Sequence, residues 1–206
     1  MKKSILIYLF VIIFSGLSYG QFGYGFTLNH DLYQRYVNPD ERSGYLSSGS
    51  AILNLSAGPK IWLGGKTFSV SLEGTANIGF LAFSLNENKG FGAVSYPLIA
   101  SINFKGLSAL SREGKLGLRI GGGVQFSRTE LYGIKDEYVD LGVTRELFRT
   151  YVAQLGYGFG ISGFTIHGIA RYGWNPDIDA NTLNIGFQYD FNLPMLKKIK
   201  DPNSAL

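Results

Sequence analysis

After residue 20, apolar and polar side chains alternate along most of the chain with a period of two. This is the pattern of strands whose two faces meet different surroundings. It predicts eight strands: 22–33, 50–63, 67–84, 92–104, 115–128, 148–162, 164–174 and 181–193. In the second, Leu53, Leu55, Ala57, Ile61 and Leu63 share a face; in the eighth, Leu183, Ile185, Phe187, Tyr189 and Phe191 do. The opposite faces are small and polar, as in Ser69, Ser71, Glu73, Thr75 and Asn77 of the third, or Gln154, Gly156, Gly158 and Gly160 of the sixth.

The makeup of the polar faces decides which side points outward. A water-soluble barrel exposes many Lys and Glu and keeps its apolar face inside. Here the polar faces are Gly, Ser, Thr, Asn and Gln with few charges, which suits the hydrated interior of a small membrane barrel. Crossing a bilayer takes about 9–11 tilted residues per strand, and each predicted strand supplies that. Long or polar connections (34–49, 85–91, 129–147, 175–180) alternate with shorter ones (64–66, 105–114, 163), although 105–114 is longer than a hairpin needs. Long loops outside and short turns in the periplasm are the outer-membrane arrangement. The expected fold is therefore all-β: a closed, antiparallel, up-and-down transmembrane β-barrel over 21–193. Closure follows because lipid cannot satisfy a free strand edge. Pro194 ends the last strand, and 194–206 is expected to be a short, disordered periplasmic tail.

Residues 1–20 read as a cleavable signal peptide. Lys2 and Lys3 precede an apolar run from Ile5 to Phe14, and Ser18-Tyr19-Gly20 supplies small residues before the expected cut. Their removal takes two lysines away and leaves 186 residues with a formal charge of +2. Both mature termini then lie in the periplasm of a Gram-negative cell. No basic tract in the mature chain argues for nucleic acid.

Composition narrows the chemistry. The chain has 206 residues, 28 glycines, 17% charged residues, two histidines and no cysteine. Thiol catalysis and cysteine metal sites are excluded, and no cofactor or metal is expected. Charge sorts by side: the loops carry a net −5 and the turns with the tail a net +5. The acidic loops read as ordinary solvation.

With a signal, eight strands and a last strand Leu183-Asn-Ile-Gly-Phe-Gln-Tyr-Asp-Phe191 rich in aromatics, the chain resembles the small outer-membrane β-barrel superfamily, of which the OmpX and OmpA transmembrane domains are members. The resemblance is architectural, without a shared motif. It implies that the barrel-assembly machinery reads the last strand, and that outer-membrane lipid surrounds the wall. The chain departs from many such barrels by continuing past that aromatic end.

Six ionisable residues fall on the inward phase: Lys60, Glu73, Arg119, His167, Arg171 and Asp190. An eight-stranded interior is just wide enough for side chains to fill it, and unpaired charges there are costly. A lumenal polar network is expected, with Glu73 and Arg119 near mid-height and His167 close to Asp190. A lipid A-modifying enzyme of this size would need Ser, His and an acid near the outer leaflet. His167 lies at the wrong end, and His30 and Asp31 face opposite sides. Catalytic residues are therefore expected to be none. The leading expectation is a non-enzymatic barrel serving as a structural element or accessory subunit, with Tyr132, Tyr138, Leu141 and Leu147 of the 129–147 loop as a partner surface for other outer-membrane or periplasmic proteins. A narrow channel for a small hydrophobic ligand is the alternative of a different class.

Overall fold

The computed structural model describes residues 20–37, 46–79, 91–132 and 146–200. The signal segment, the 80–90 connection and most of the 129–147 loop, with Tyr138 and Leu141, lie outside them. The strands are β1 (Gln21–Val37), β2 (Leu46–Gly64), β3 (Phe68–Gly74), β4 (Ala76–Gly79), β5 (Phe91–Lys105), β6 (Lys115–Tyr132), β7 (Phe148–Ile161), β8 (Phe164–Asn175) and β9 (Ala180–Asn192). All pair antiparallel, and β1 pairs with both β2 and β9, so the sheet closes on itself. β3 and β4 form one stave, which makes an eight-stranded up-and-down barrel. Their break at Thr75 faces Pro97, which has no N–H to offer across the pair; Thr75 N still donates to Pro97 O at 3.1 Å.

Following paired residues once around the wall shows how the barrel is sheared. The path Tyr24, Ile61, Leu72, Ala100, Gly122, Ala153, Tyr172, Leu183 returns to β1 at Arg35, eleven residues beyond its start. This stagger tilts the strands and sets the width of the interior. One residue of the stagger is a bulge between Asp31 and Tyr33, seen against both neighbours of β1. Below it Thr27, Asn29 and Asp31 point inward; above it Gln34 and Tyr36 do. The extra residue reverses the phase of the strand.

The wall is inverted relative to a soluble protein. Phe22, Leu55, Ile78, Leu116, Leu155 and Tyr157 are all more than half exposed, whereas Lys60, Arg119, Arg171, Gln125 and Asn184 are buried. An apolar belt around a polar interior is the construction of a transmembrane barrel.

Two details depart from the sequence reading. The residues after Asn192 do not simply trail away: Leu193–Lys200 forms a helix, α1. Pro194 sits in its first turn, where a missing N–H costs nothing, and Met195 is buried against the barrel end. The long 105–114 connection also has a structural use. Its turn at Gly106–Ser108 folds across the mouth, and Leu107, Ala109 and Leu110 are buried there.

Candidate functional site

The interior has three levels. At the end that carries α1, Trp62 is fully buried beneath Ala109 and Leu110. The covering segment is tied on several sides: Ser69 Oγ donates to Ser108 O (2.9 Å), Asn192 Nδ2 to Ala109 O (2.9 Å) and Ser162 N to Ser111 O (3.0 Å). It can lie this close only because its neighbours are glycines. A Cβ on Gly160 would stand 2.0 Å from Gly106 O, and one on Gly117 2.5 Å from Leu107 N. At the opposite, loop end, Tyr36, Ala93, Phe148 and Ala180 form a second apolar cluster. The polar section lies between these two caps.

The middle section holds the charges. Lys60 Nζ stands 3.0 Å from Glu73 Oε2 and 2.7 Å from Asp190 Oδ2. Arg119 Nη2 is 2.7 Å from Glu73 Oε2, and its Nη1 is 4.0 Å from Asp190 Oδ2. Two cations and two carboxylates thus share one layer. Lys60 also lies over the Trp62 ring at 5.3 Å, a contact of the cation–π type. Amides and hydroxyls complete the layer: Gln188 Nε2 donates to Glu73 (2.8 Å) and Asp190 (2.9 Å), and Thr165 Oγ1 donates to Asp190 (3.2 Å).

From Gln188 the network climbs. Gln154 Nε2 donates to Gln188 Oε1 at 3.1 Å, and Arg171 Nε donates to Gln154 Oε1 at 2.8 Å. Above it, Asp31 accepts from Asn184 Nδ2 at 2.7 Å and from Asn77 Nδ2 at 3.4 Å. Asp31 is the member that sequence reasoning missed. Left out of the inward set although it lies in the first predicted strand, it is buried inside the barrel, and among the described residues it gives the interior three carboxylates for three Lys and Arg side chains. Its odd-numbered phase with Thr27 and Asn29 was the available signal.

His167 is also buried in this section, and neither ring nitrogen has a hydrogen-bond partner among the described residues. It pairs across the sheet with Gln188, one inward position from Asp190, so the two are diagonal neighbours as expected, while the bonds of Asp190 go to Lys60, Gln188 and Thr165. The imidazole occupies room left by glycine: a Cβ on Gly156 would come within 2.9 Å of its Cδ2. Ile99, Val152 and Ile169 add bulk to the same interior.

This arrangement can neutralise and stiffen, since each charge is held by opposite charge or by amides, away from solvent. Among the described residues there is no cluster of His, Cys, Asp and Glu able to hold a metal. His30 is half-buried while Asp31 points inward, so the two do not converge. Of the loop residues singled out from sequence, Tyr132 ends β6 and Leu147 is exposed just before β7.

No family model matches the chain, and no curated protein matches its sequence. Solved structures similar to it include the N-terminal β-barrel domain of Pseudomonas aeruginosa OprF, at 9% identity and a TM-score of 0.44, covering 84% of this chain and 99% of that one. Neisserial surface protein A is similar at 9% identity and a TM-score of 0.46, with 84% and 99% covered. Ail of Yersinia pestis, solved with a heparin analogue, is similar at 13% identity and a TM-score of 0.43, with 83% and 99% covered.

Proposed function

We propose that this chain is a non-enzymatic outer-membrane β-barrel that acts through its surfaces, as a structural element or as an accessory subunit of an outer-membrane complex. The observation that carries this reading is the interior: a bonded charge layer with an apolar cap at each end. Among the described residues, a lumen filled in this way offers no path for diffusion and no exposed acid or base for catalysis. What remains for function is the outside, namely the loop end and the rim around α1. On this reading the α1 end faces the periplasm, and the last strand is the segment read during assembly.

The test is purification of a tagged chain from native outer membranes in mild detergent, with mass spectrometry of co-eluting proteins. Stoichiometric outer-membrane or periplasmic partners, lost when the 129–147 loop or α1 is altered, are the expected result for a subunit. A lone barrel that shifts in gel mobility on boiling supports the structural role. A chain without that heat shift, recovered from the soluble periplasm, overturns the membrane assignment. Steady conductance in planar bilayers overturns the sealed-lumen reading and favours the narrow channel.

A further inference from the structure

We infer that the α1 end carries a binding site for the phosphate group of an anionic phospholipid, formed by Lys66, Arg112 and Lys198. The inference rests on the membrane reading above and adds a ligand to it.

Three elements that are distant in sequence bring these cations around one open cleft of about 240 Å³, lined also by Gln21, Leu110 and Met195. Among the described residues no carboxylate lines it. The backbone under each cation is fixed. Ser108 Oγ donates to Lys66 O at 2.9 Å, and Ser162 Oγ donates to Arg112 O at 3.0 Å. Lys198 projects from α1, whose Met195 packs so closely on the hairpin that a Cβ on Gly163 would lie 2.5 Å from the Met195 Cβ. Among the described residues none of the three cations has a salt-bridge partner, whereas the nearby acid Glu113 is held by Lys115 at 2.5 Å. Glu113 shares the neighbouring cleft with Lys66 but is taken up by Lys115, so the three like charges repel one another until an anion joins them. The Gln21 side-chain oxygen is buried beside them with no hydrogen-bond partner.

Lipid is favoured over a soluble anion because the basic surface continues onto the wall. A second cleft, of about 600 Å³, shares Lys66 and is lined by Lys105, Lys115 and Leu116, with one acid, Glu113, paired to Lys115. Leu116 is more than half exposed in the apolar belt. A headgroup held by the cations would therefore have its acyl chains beside Leu116, at the depth where a membrane-facing wall begins. Basic groups at such a rim attract anionic lipid.

The experiment is native mass spectrometry of the full chain released from micelles containing equal phosphatidylglycerol and phosphatidylcholine. The expected result is retention of phosphatidylglycerol over phosphatidylcholine by on the order of tenfold. The preference should fall to near parity in the combined variant Lys66→Gln, Arg112→Gln, Lys198→Gln, and persist in Arg149→Gln at the loop end. Folding of each variant is checked by its heat shift. Equal retention of both lipids by a heat-shifting barrel overturns the site alone; a chain that neither enters vesicles nor shifts on boiling overturns the membrane reading with it. Inorganic phosphate that binds as well as the lipid, and displaces it, overturns lipid as the source of the anion. Binding to peptidoglycan that needs the same three residues, without a lipid preference, assigns the cleft to a different partner and also overturns the proposal.

Discussion

Lys60 Nζ lies 2.7 Å from Asp190 Oδ2, although the two residues stand on strands that never pair. β1 runs between β2 and β9, so this contact is a chord across the interior. The same ammonium reaches Glu73 on the other side. Lys60→Met would leave two carboxylates facing Arg119 without their second cation. The expected destabilisation is about 3–5 kcal/mol, the usual effect of removing one partner from a buried ion pair. Urea unfolding of the barrel in lipid vesicles measures it. Adding Asp190→Asn to Lys60→Met should recover part of the loss, and an unchanged midpoint in Lys60→Met would contradict the pairing.

The outer wall should respond to charge in the opposite manner to a soluble surface. Leu155 is 56% exposed and its neighbour Gln154 is buried. Leu155→Arg is expected to cost about 2–4 kcal/mol where the residue meets the bilayer centre. Leu147→Arg, just outside β7, should cost little. Folding yield into vesicles distinguishes them, and equal yields would remove the lipid-facing belt from this region.

The cap over Trp62 depends on the space at Gly160. Gly160→Val puts a branched side chain where Gly106 O now lies and should lift the turn from the mouth. With Trp174→Phe as background, Trp62 becomes the sole tryptophan. Its emission should shift to longer wavelength and become open to aqueous quenchers. Gly65→Ala meets nothing within 4 Å and should leave emission unchanged. A protected Trp62 in the valine variant would mean that the turn does not seal that end.

Asp31 provides a test higher in the lumen. Asp31→Leu strands the donors of Asn184 and Asn77, and is expected to destabilise by about 1–3 kcal/mol, the range for buried polar groups left unpaired. Asp31→Asn keeps an acceptor and should cost less. Equal unfolding midpoints for both variants would show that the acceptor contributes nothing.

Much of this was legible in the chain because a barrel wall repeats one decision at every position. Leu116, Leu118 and Ile120 alternate with Gly117, Arg119 and Gly121, and that alternation alone places the Arg119 guanidinium inside. Asp31 keeps the odd-numbered phase of Thr27 and Asn29, and its inward position was legible from that phase. What the sequence hides is the bulge after it, which turns Gln34 and Tyr36 inward; a single sequence carries no sign of that extra residue. The excess length of the 105–114 connection is visible in the sequence, but its docking depends on carbonyls and glycines from β6 and β7 that only the closed barrel brings together. Helix α1 is not legible in the sequence for a similar reason. Its anchor Met195 gains burial from a hairpin thirty residues away, and not from any pattern within the eight residues of the helix.

The placement of Asp190 on β9 also ties the charge of the interior to the closure of the wall. Lys60, Glu73 and Arg119 stand on β2, β3 and β6, and together they hold one positive charge too many. β9 carries the carboxylate that cancels it, along with Gln188, which bonds both acids. It is also the strand that pairs with β1 and shuts the sheet. A sheet without β9 in this register would therefore be both open at its seam and unbalanced in its charge layer.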